Sequence, residues 1–158
     1  MPLKDYSTKI SVHTTIGEIQ GLLAKARVKH LMTSFDDSGN PTAVTFMVPT
    51  RHGDQGFRLP ANVDRVHLLL SQQHSTGQID RRFSTREQAA RVAWRVIRDW
   101  LAAQVALIEM EMVELETIML PYLMVDRDHT MAELMEATHY QLPAALIDQL
   151  ALPPGGEE

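Results

Sequence analysis

Residues 84–120 read STREQAARVAWRVIRDWLAAQVALIEMEMVELETIML, without a glycine or proline before Pro121. Ser84-Thr85-Arg86-Glu87 has the form of a capping box, a hydroxyl followed by a carboxylate three residues beyond, so the spacing predicts a helix opening there and running to Leu120. Unbroken, that helix would be about 55 Å long at ~1.5 Å per residue, longer than a compact domain of this size is wide. It must therefore break, protrude or pair. Trp94, Ile97, Leu101, Val105, Ile108, Met112, Leu115 and Met119 recur at spacings of three and four, the seam of a helix that packs on another helix. Val92, Val96, Trp100 and Leu107 make a second apolar face, so the helix is expected to be covered on most sides.

The polar strip that remains carries Arg91, Arg95 and Arg98 first and Glu109, Glu114 and Glu116 later. This order opposes the helix dipole, which favours acids at the N-terminus and bases at the C-terminus by about 0.3–1 kcal/mol each. Three readings follow. The charges are solvated on a helix held by its packing, or the arginines face an anionic partner, or two such helices lie antiparallel so that arginines meet glutamates.

On the N-terminal side, Lys4 to Val12 alternates like a short strand, and Thr15-Ile16-Gly17-Glu18 predicts a second capping box with a helix through Ala26. Val28 to Phe35 and Thr42 to Val48 flank the dense turn signal of residues 36–41, which predicts a β-hairpin. A second turn at residues 52–56 leads to a third strand over Phe57 to Leu59, giving a three-stranded antiparallel meander. Asn62 to Leu70 suggests a short helix and Ser71 to Gln78 a polar loop. Beyond Pro121, Thr130-Met131-Ala132-Glu133 is a third capping box, Pro143 opens a further short helix through Leu150, and residues 151–158 are expected to form a disordered tail. The fold class is thus α+β, with residues 1–150 as one domain.

The chain has 158 residues, no cysteine and a formal charge of −5. A disulfide scaffold and a thiolate metal site are excluded, and a reducing, cytoplasmic setting fits, the host cytoplasm if the gene is viral. Met1 to Ile10 is polar, without the apolar core of an export signal, and nowhere do eighteen apolar residues run together, so no membrane span is expected. The charge is segregated: residues 1–80 sum to +1, six arginines against Glu87 give +5 over residues 81–98, and Arg127 against twelve acids gives −11 over residues 99–158. A confined basic island can meet phosphates even in a weakly acidic protein, because a ligand responds to the local field.

Asp126, Asp128 and His129, with His139 further on, are the one cluster of ligand-type residues, and a loop of this spacing is read as a solvated turn with no metal assigned. His67 and His74 stand singly and are given no catalytic role. Glu109, Glu111, Glu114 and Glu116 point in several directions on a helix and are read as surface. Trp94 and Trp100, at their spacing on an apolar helix, are read as core or interface. The nine methionines are adaptable packing. No phosphate loop, nucleophile elbow or zinc-helix motif occurs, so no catalytic residue or cofactor is assigned.

A helix, three antiparallel strands and a helix beginning Ser84-Thr85-Arg86-Glu87-Gln88-Ala89-Ala90 resemble the double-stranded-RNA-binding domain in their order. That resemblance implies phosphate contacts from the start of the last helix, here Arg86 and Arg82. The family's lysine cluster is absent, and some twenty residues intervene before the last helix. The same βββα order is similar to the core of phage single-strand annealing proteins, which implies oligomers on DNA. Thr15-Ile16-Gly17-Glu18-Ile19-Gln20, Phe57-Arg58-Leu59-Pro60 and Ala93-Trp94-Arg95-Val96-Ile97-Arg98-Asp99-Trp100 also resemble small uncharacterised proteins of bacteriophages and prophages over nearly the whole chain.

Two functions are expected from these readings. The first is an accessory protein of a phage or mobile element that binds DNA or RNA through Arg81, Arg82, Arg86, Arg91, Arg95 and Arg98. The second is a structural or inhibitory protein, binding a host or phage protein or forming a homodimer along the seam Ile97, Leu101, Val105, Ile108, Met112, Leu115 and Met119. An enzyme ranks third.

Overall fold

The computed structural model describes residues 1–150, so the expected tail at residues 151–158 lies outside the described residues. The architecture is α+β: a three-stranded antiparallel sheet in the order β1-β2-β3, with six α-helices among the described residues. The strands are β1 (His30–Phe35), β2 (Pro41–Thr50) and β3 (Gly53–Pro60). They are the expected meander, with β3 longer than Phe57 to Leu59. Alternation along β2 and β3 turns Val44, Phe46, Val48, Phe57 and Leu59 to one face, where Phe46 stacks on its cross-strand partner Phe57 at 5.7 Å.

Helix α1 (Val12–Lys25) lays Ile16, Ile19 and Leu23 on that face. It begins earlier than the sequence motif indicates. Ser11 is the N-cap, accepting from Thr14 N–H at 3.1 Å, and Thr15 is fully buried inside the helix. The Thr15 capping box is therefore corrected. Glu18, the acid of that box, reaches Arg95 instead of turning back on its own helix.

No strand forms over Lys4 to Val12. These residues, with Met1 to Leu3, cross the α2–α3 side of the molecule and satisfy their backbone with side-chain amides. Gln73 Oε1 accepts from Leu3 N–H at 3.1 Å, and Gln88 Nε2 donates to the carbonyls of Tyr6 and Thr8 at 2.8 and 3.0 Å. A turn, with Tyr6 N–H donating to Leu3 O at 3.2 Å, places Leu3 and Tyr6 on a small second core with Leu70, Ile79, Ala89 and Val92, where Tyr6 meets Phe83 edge to face. That core also accounts for α2 (Val63–Ser75), which absorbs part of the expected polar loop: Leu70 is fully buried, Val63 and Val66 pack beside it, and Asp64, Arg65 and Gln72 are exposed.

The largest correction concerns the long helix. α3 (Arg86–Glu109) is about 36 Å long at ~1.5 Å per residue and stops eleven residues before Leu120. Its N-cap is Thr85, which accepts from Gln88 N–H at 3.1 Å. At the other end Glu111 takes a left-handed conformation (φ 57°), Met112 N–H donates to Leu107 O at 3.0 Å and Glu111 N–H to Ile108 O at 2.9 Å. These are the two bonds of a Schellman cap. The chain then folds back through α4 (Leu115–Ile118), whose Leu115, with Met119, seals the end of the main core. Leu123 bridges Phe57 beside β3, and α5 (Met131–Ala137) and α6 (Ala144–Leu150) follow. The capping box at Thr130 is present as expected, with Thr130 N–H donating to Glu133 at 2.7 Å.

The break changes the meaning of the seam. Leu101, Val105, Leu115 and Met119 are buried in the main core, and Ile97 and Ile108 are half-buried against it, so α1 and the sheet already occupy this face. Met112 lies beyond the helix and is 65% exposed. Trp100 rests edge to face on Tyr122 at 5.8 Å.

Candidate nucleic-acid interface

The six arginines divide into two groups once α3 is in place. Arg91, Arg95 and Arg98 lie on the part of α3 that meets α1, with side chains 26%, 15% and 29% exposed. Arg95 pairs with Glu18 of α1, and Arg98 lies 3.8 Å from the same carboxylate and 3.2 Å from Asp99. Arg91 donates to Gln88 Oε1 at 2.9 Å and to Glu87 at 3.0 Å. Asp99 also accepts from Lys4, and this ammonium, with Arg98 behind it, holds the Asp99 carboxyl below its usual range. The strip that opposes the helix dipole is thus compensated within the chain, by α1 and by local acids. Glu114 and Glu116 fall outside α3 altogether, and Glu116 lies in the first turn of α4, where an acid is favoured.

Arg81, Arg82 and Arg86 form the other group. Arg81 and Arg82 stand on the single 3-10 turn before α3, and Arg86 is the first residue of the helix. All three are exposed, and among the described residues Arg81 makes no ion pair. Arg82 stacks over Phe83 with its guanidinium 4.6 Å from the ring centroid and lies 3.4 Å from Asp80. Arg86 pairs with Asp64 at the start of α2. Exposed pairs of this kind are worth about 0–1 kcal/mol, so a phosphate can displace the carboxylates at little loss.

Beside Arg86 lies a cleft of about 470 Å³ among the starts of α1, α2 and α3 and the β1–β2 turn. Its wall includes Arg86, Arg91 and Trp94 from α3. A broader, shallower depression of about 1050 Å³ lies at the opposite end of α3, between Lys25 and Arg27 and the acids Glu109, Glu111, Glu114 and Glu116. It is acidic on balance and is not the arginine surface. The molecule therefore carries its basic and acidic ends at opposite termini of one helix.

The Asp126 turn is held by its own side chain. Asp126 Oδ1 accepts from the amides of Asp128 and His129 at 2.8 Å each, and His129 Nδ1 lies 3.0 Å from both oxygens. The amide of Asp128 and the His129 ring hold Asp126 below the usual carboxylate range, and Asp126 raises His129. Among the described residues no three acidic or histidine side chains converge as metal ligands would. The sign of the pH effect follows directly. Asp126, depressed, contributes stability above its unfolded value and loses it as pH falls through the folded one; His129, raised, contributes below its unfolded value and loses it as pH rises through the folded one. The turn is accordingly tightest in the window between them, where both groups are charged. An NMR titration of the histidine rings should show His129 deprotonating at higher pH than in Asp126→Asn, where it returns toward about 6.5. Equal midpoints in the two proteins would remove the ion pair from the account.

His74 is structural, its Nδ1 within 3.2 Å of the Ile79 carbonyl. Trp94 is fully buried in the main core. The residues that sequence reasoning missed are positioning ones: Glu18, masked by its resemblance to a capping-box acid, and Gln88, which ties the N-terminal segment to α3. Asn62 and Ser11, as cap residues, were the available signals for where α2 and α1 begin beside the cleft. No described helix is long and apolar enough to cross a membrane. Comparison with protein-family models, curated proteins and solved structures gives no match for this chain.

Proposed function

We propose that this protein binds nucleic acid through Arg81, Arg82 and Arg86 at the start of α3, as an accessory protein of a phage or mobile element. The observation that carries the reading is the grouping of these three exposed guanidiniums on one turn and one helix N-terminus, whose free backbone amides add to the local positive charge. The phage setting is supported by the sequence resemblance alone. Arg91, Arg95 and Arg98 leave the contact surface in this reading and become ties between α3 and its surroundings.

Fluorescence anisotropy with labelled single-stranded DNA, duplex DNA and duplex RNA, titrated with salt, tests it. Affinity should fall steeply with salt, and Arg81→Ala, Arg82→Ala and Arg86→Ala should each flatten the log–log slope by about one. Binding that ignores salt, or no binding to any of the three, defeats the proposal.

A second reading, protein–protein contact, is favoured by the outer face of the sheet, where Met32 and Met47 are 61% and 40% exposed beside each other's strands. Self-association would then run through this face and not through the α3 seam. Light scattering on Met32→Lys/Met47→Lys against the parent chain distinguishes it.

A further inference from the structure

The first-turn amides of three helices are left over in residues that line one cleft. In α1, Ser11 uses its side chain on Thr14 N–H and its carbonyl on Thr15 N–H, which leaves Val12 and His13. In α2, Asn62 takes Arg65 and Val66 N–H and the Ala61 carbonyl takes Val63 N–H, which leaves Asp64. In α3, Thr85 takes Gln88 and Ala89 N–H, which leaves Arg86 and Glu87. Val12, His13, Asp64, Arg86 and Glu87 all belong to the wall of the same 470 Å³ cleft. Helix N-termini of this kind attract anions through their dipoles and free donors.

A second, independent feature is Trp94. It is fully buried, it lies in the wall of that cleft, and its Nε1–H has no hydrogen-bond acceptor in the protein. A buried donor left unmade costs about 1–3 kcal/mol, and most buried polar groups avoid that cost. The acids around the cleft are already engaged: Asp36 accepts from Ser38 and Asn40 amides at 2.9 Å, Asp64 pairs with Arg86, and Glu87 with Arg91. Both arginines retain further donors, since a guanidinium has five.

We propose that the cleft binds a phosphate monoester, its anionic head on the α1, α2 and α3 N-termini beside Arg86 and its organic body along the half-buried apolar wall of Val12, Ala61, Val63 and Ala90, next to which Trp94 lies. The volume lies within the ~300–1,000 Å³ of small-molecule sites and exceeds what a bare phosphate fills, so the body is of nucleotide size. The group has two sources, a free nucleoside monophosphate or the 5′-phosphorylated end of a strand. For the strand source the inference rests on the nucleic-acid reading; for the free nucleotide it does not.

The chain has two tryptophans, so ¹⁵N-labelled protein gives two indole signals, assigned with Trp100→Phe. A nucleoside monophosphate should shift the Trp94 indole and the Val12, His13, Asp64, Arg86 and Glu87 amides saturably while Trp100 stays in place. The unphosphorylated nucleoside, and inorganic phosphate, should each bind at least tenfold more weakly. Ala90→Leu, which narrows the cleft, and His13→Glu, an exposed change at its wall that keeps the core intact, should each weaken the shift at least tenfold and leave salt-dependent oligonucleotide binding at Arg81 and Arg82. A strand source requires a 5′-phosphorylated oligonucleotide to shift Trp94 where its 5′-hydroxyl twin does not. Shifts reproduced by sodium chloride at equal ionic strength, or oligonucleotide binding with Trp94 unmoved by every phosphate compound, overturn the cleft proposal. A monophosphate shift without oligonucleotide binding upholds it and defeats the arginine surface instead.

Discussion

Leu101→Ala should lower the free energy of unfolding by about 2–5 kcal/mol and leave the mass in solution unchanged. Leu101 sits at the middle of α3 with no exposed surface, in one core with Ile19 and Leu23 of α1 and Phe46 and Phe57 of the sheet. Truncation removes the transfer energy of the lost methyl groups and leaves a cavity that neighbours from three elements must relax around. Were the seam a contact between two copies, Leu101→Glu would give separated, folded monomers. With the seam satisfied inside the chain, the same substitution buries an unpaired carboxylate and unfolds the protein. Urea unfolding beside light scattering decides between the two. Met112→Glu is the control: this residue of the same sequence pattern is 65% exposed, and its change should fall within about ±0.5 kcal/mol. A stable Leu101→Glu monomer derived from a dimeric parent would reverse the assignment.

The contrast between Leu101 and Met112 shows what the sequence pattern could and could not convey. Period and capping chemistry placed the meander, the start of α3 to within a residue and the helix at Thr130, because hydrophobic alternation and hydroxyl caps act over a few residues. The end of α3 was hidden because its left-handed cap residue is Glu111 and not glycine. A non-glycine residue there costs roughly 1–2 kcal/mol and gives no compositional warning. The same cap closes α1 at Arg27 (φ 67°), with Val28 N–H on Leu23 O at 3.1 Å, and α5 at His139 (φ 53°), with Tyr140 N–H on Met135 O at 2.7 Å. Among the described residues, α2 alone uses glycine, Gly77, at this position. At the ends of α3 and α1 tertiary packing overrides the local preference, with Leu115 and Met119 folding back onto the core and Val28 set against it, whereas Tyr140 after α5 is exposed. The arginines were legible as a group by spacing. Their division was not, since the acid that holds Arg95 lies 77 positions away on α1 and was read as part of a cap.

That division gives the second large effect. Glu18→Ala should destabilise the fold by about 1–3 kcal/mol, because it removes the carboxylate that Arg95 meets and that Arg98 faces at 3.8 Å. A fully buried pair broken on one side loses about 3–5 kcal/mol; here Glu18 is 36% exposed, so water reaches the site and screens part of the loss. Arg98 Nε is buried without a hydrogen-bond partner, which leaves that side chain still more dependent on the charge of Glu18. Arg95→Ala should cost a similar amount, and the double variant less than the sum, since removing both partners strands neither. The same proteins test function. A structural Arg95 predicts an unchanged salt slope for nucleic-acid binding in Arg95→Ala, once binding is measured below its lowered unfolding midpoint, whereas Arg82→Ala flattens the slope and leaves stability within about 0.5 kcal/mol. The opposite outcome, a stable Arg95→Ala whose slope drops by about one, would return the whole arginine strip to the binding surface, because an arginine cannot both anchor α1 at Glu18 and release a phosphate's counterion without the helices moving apart.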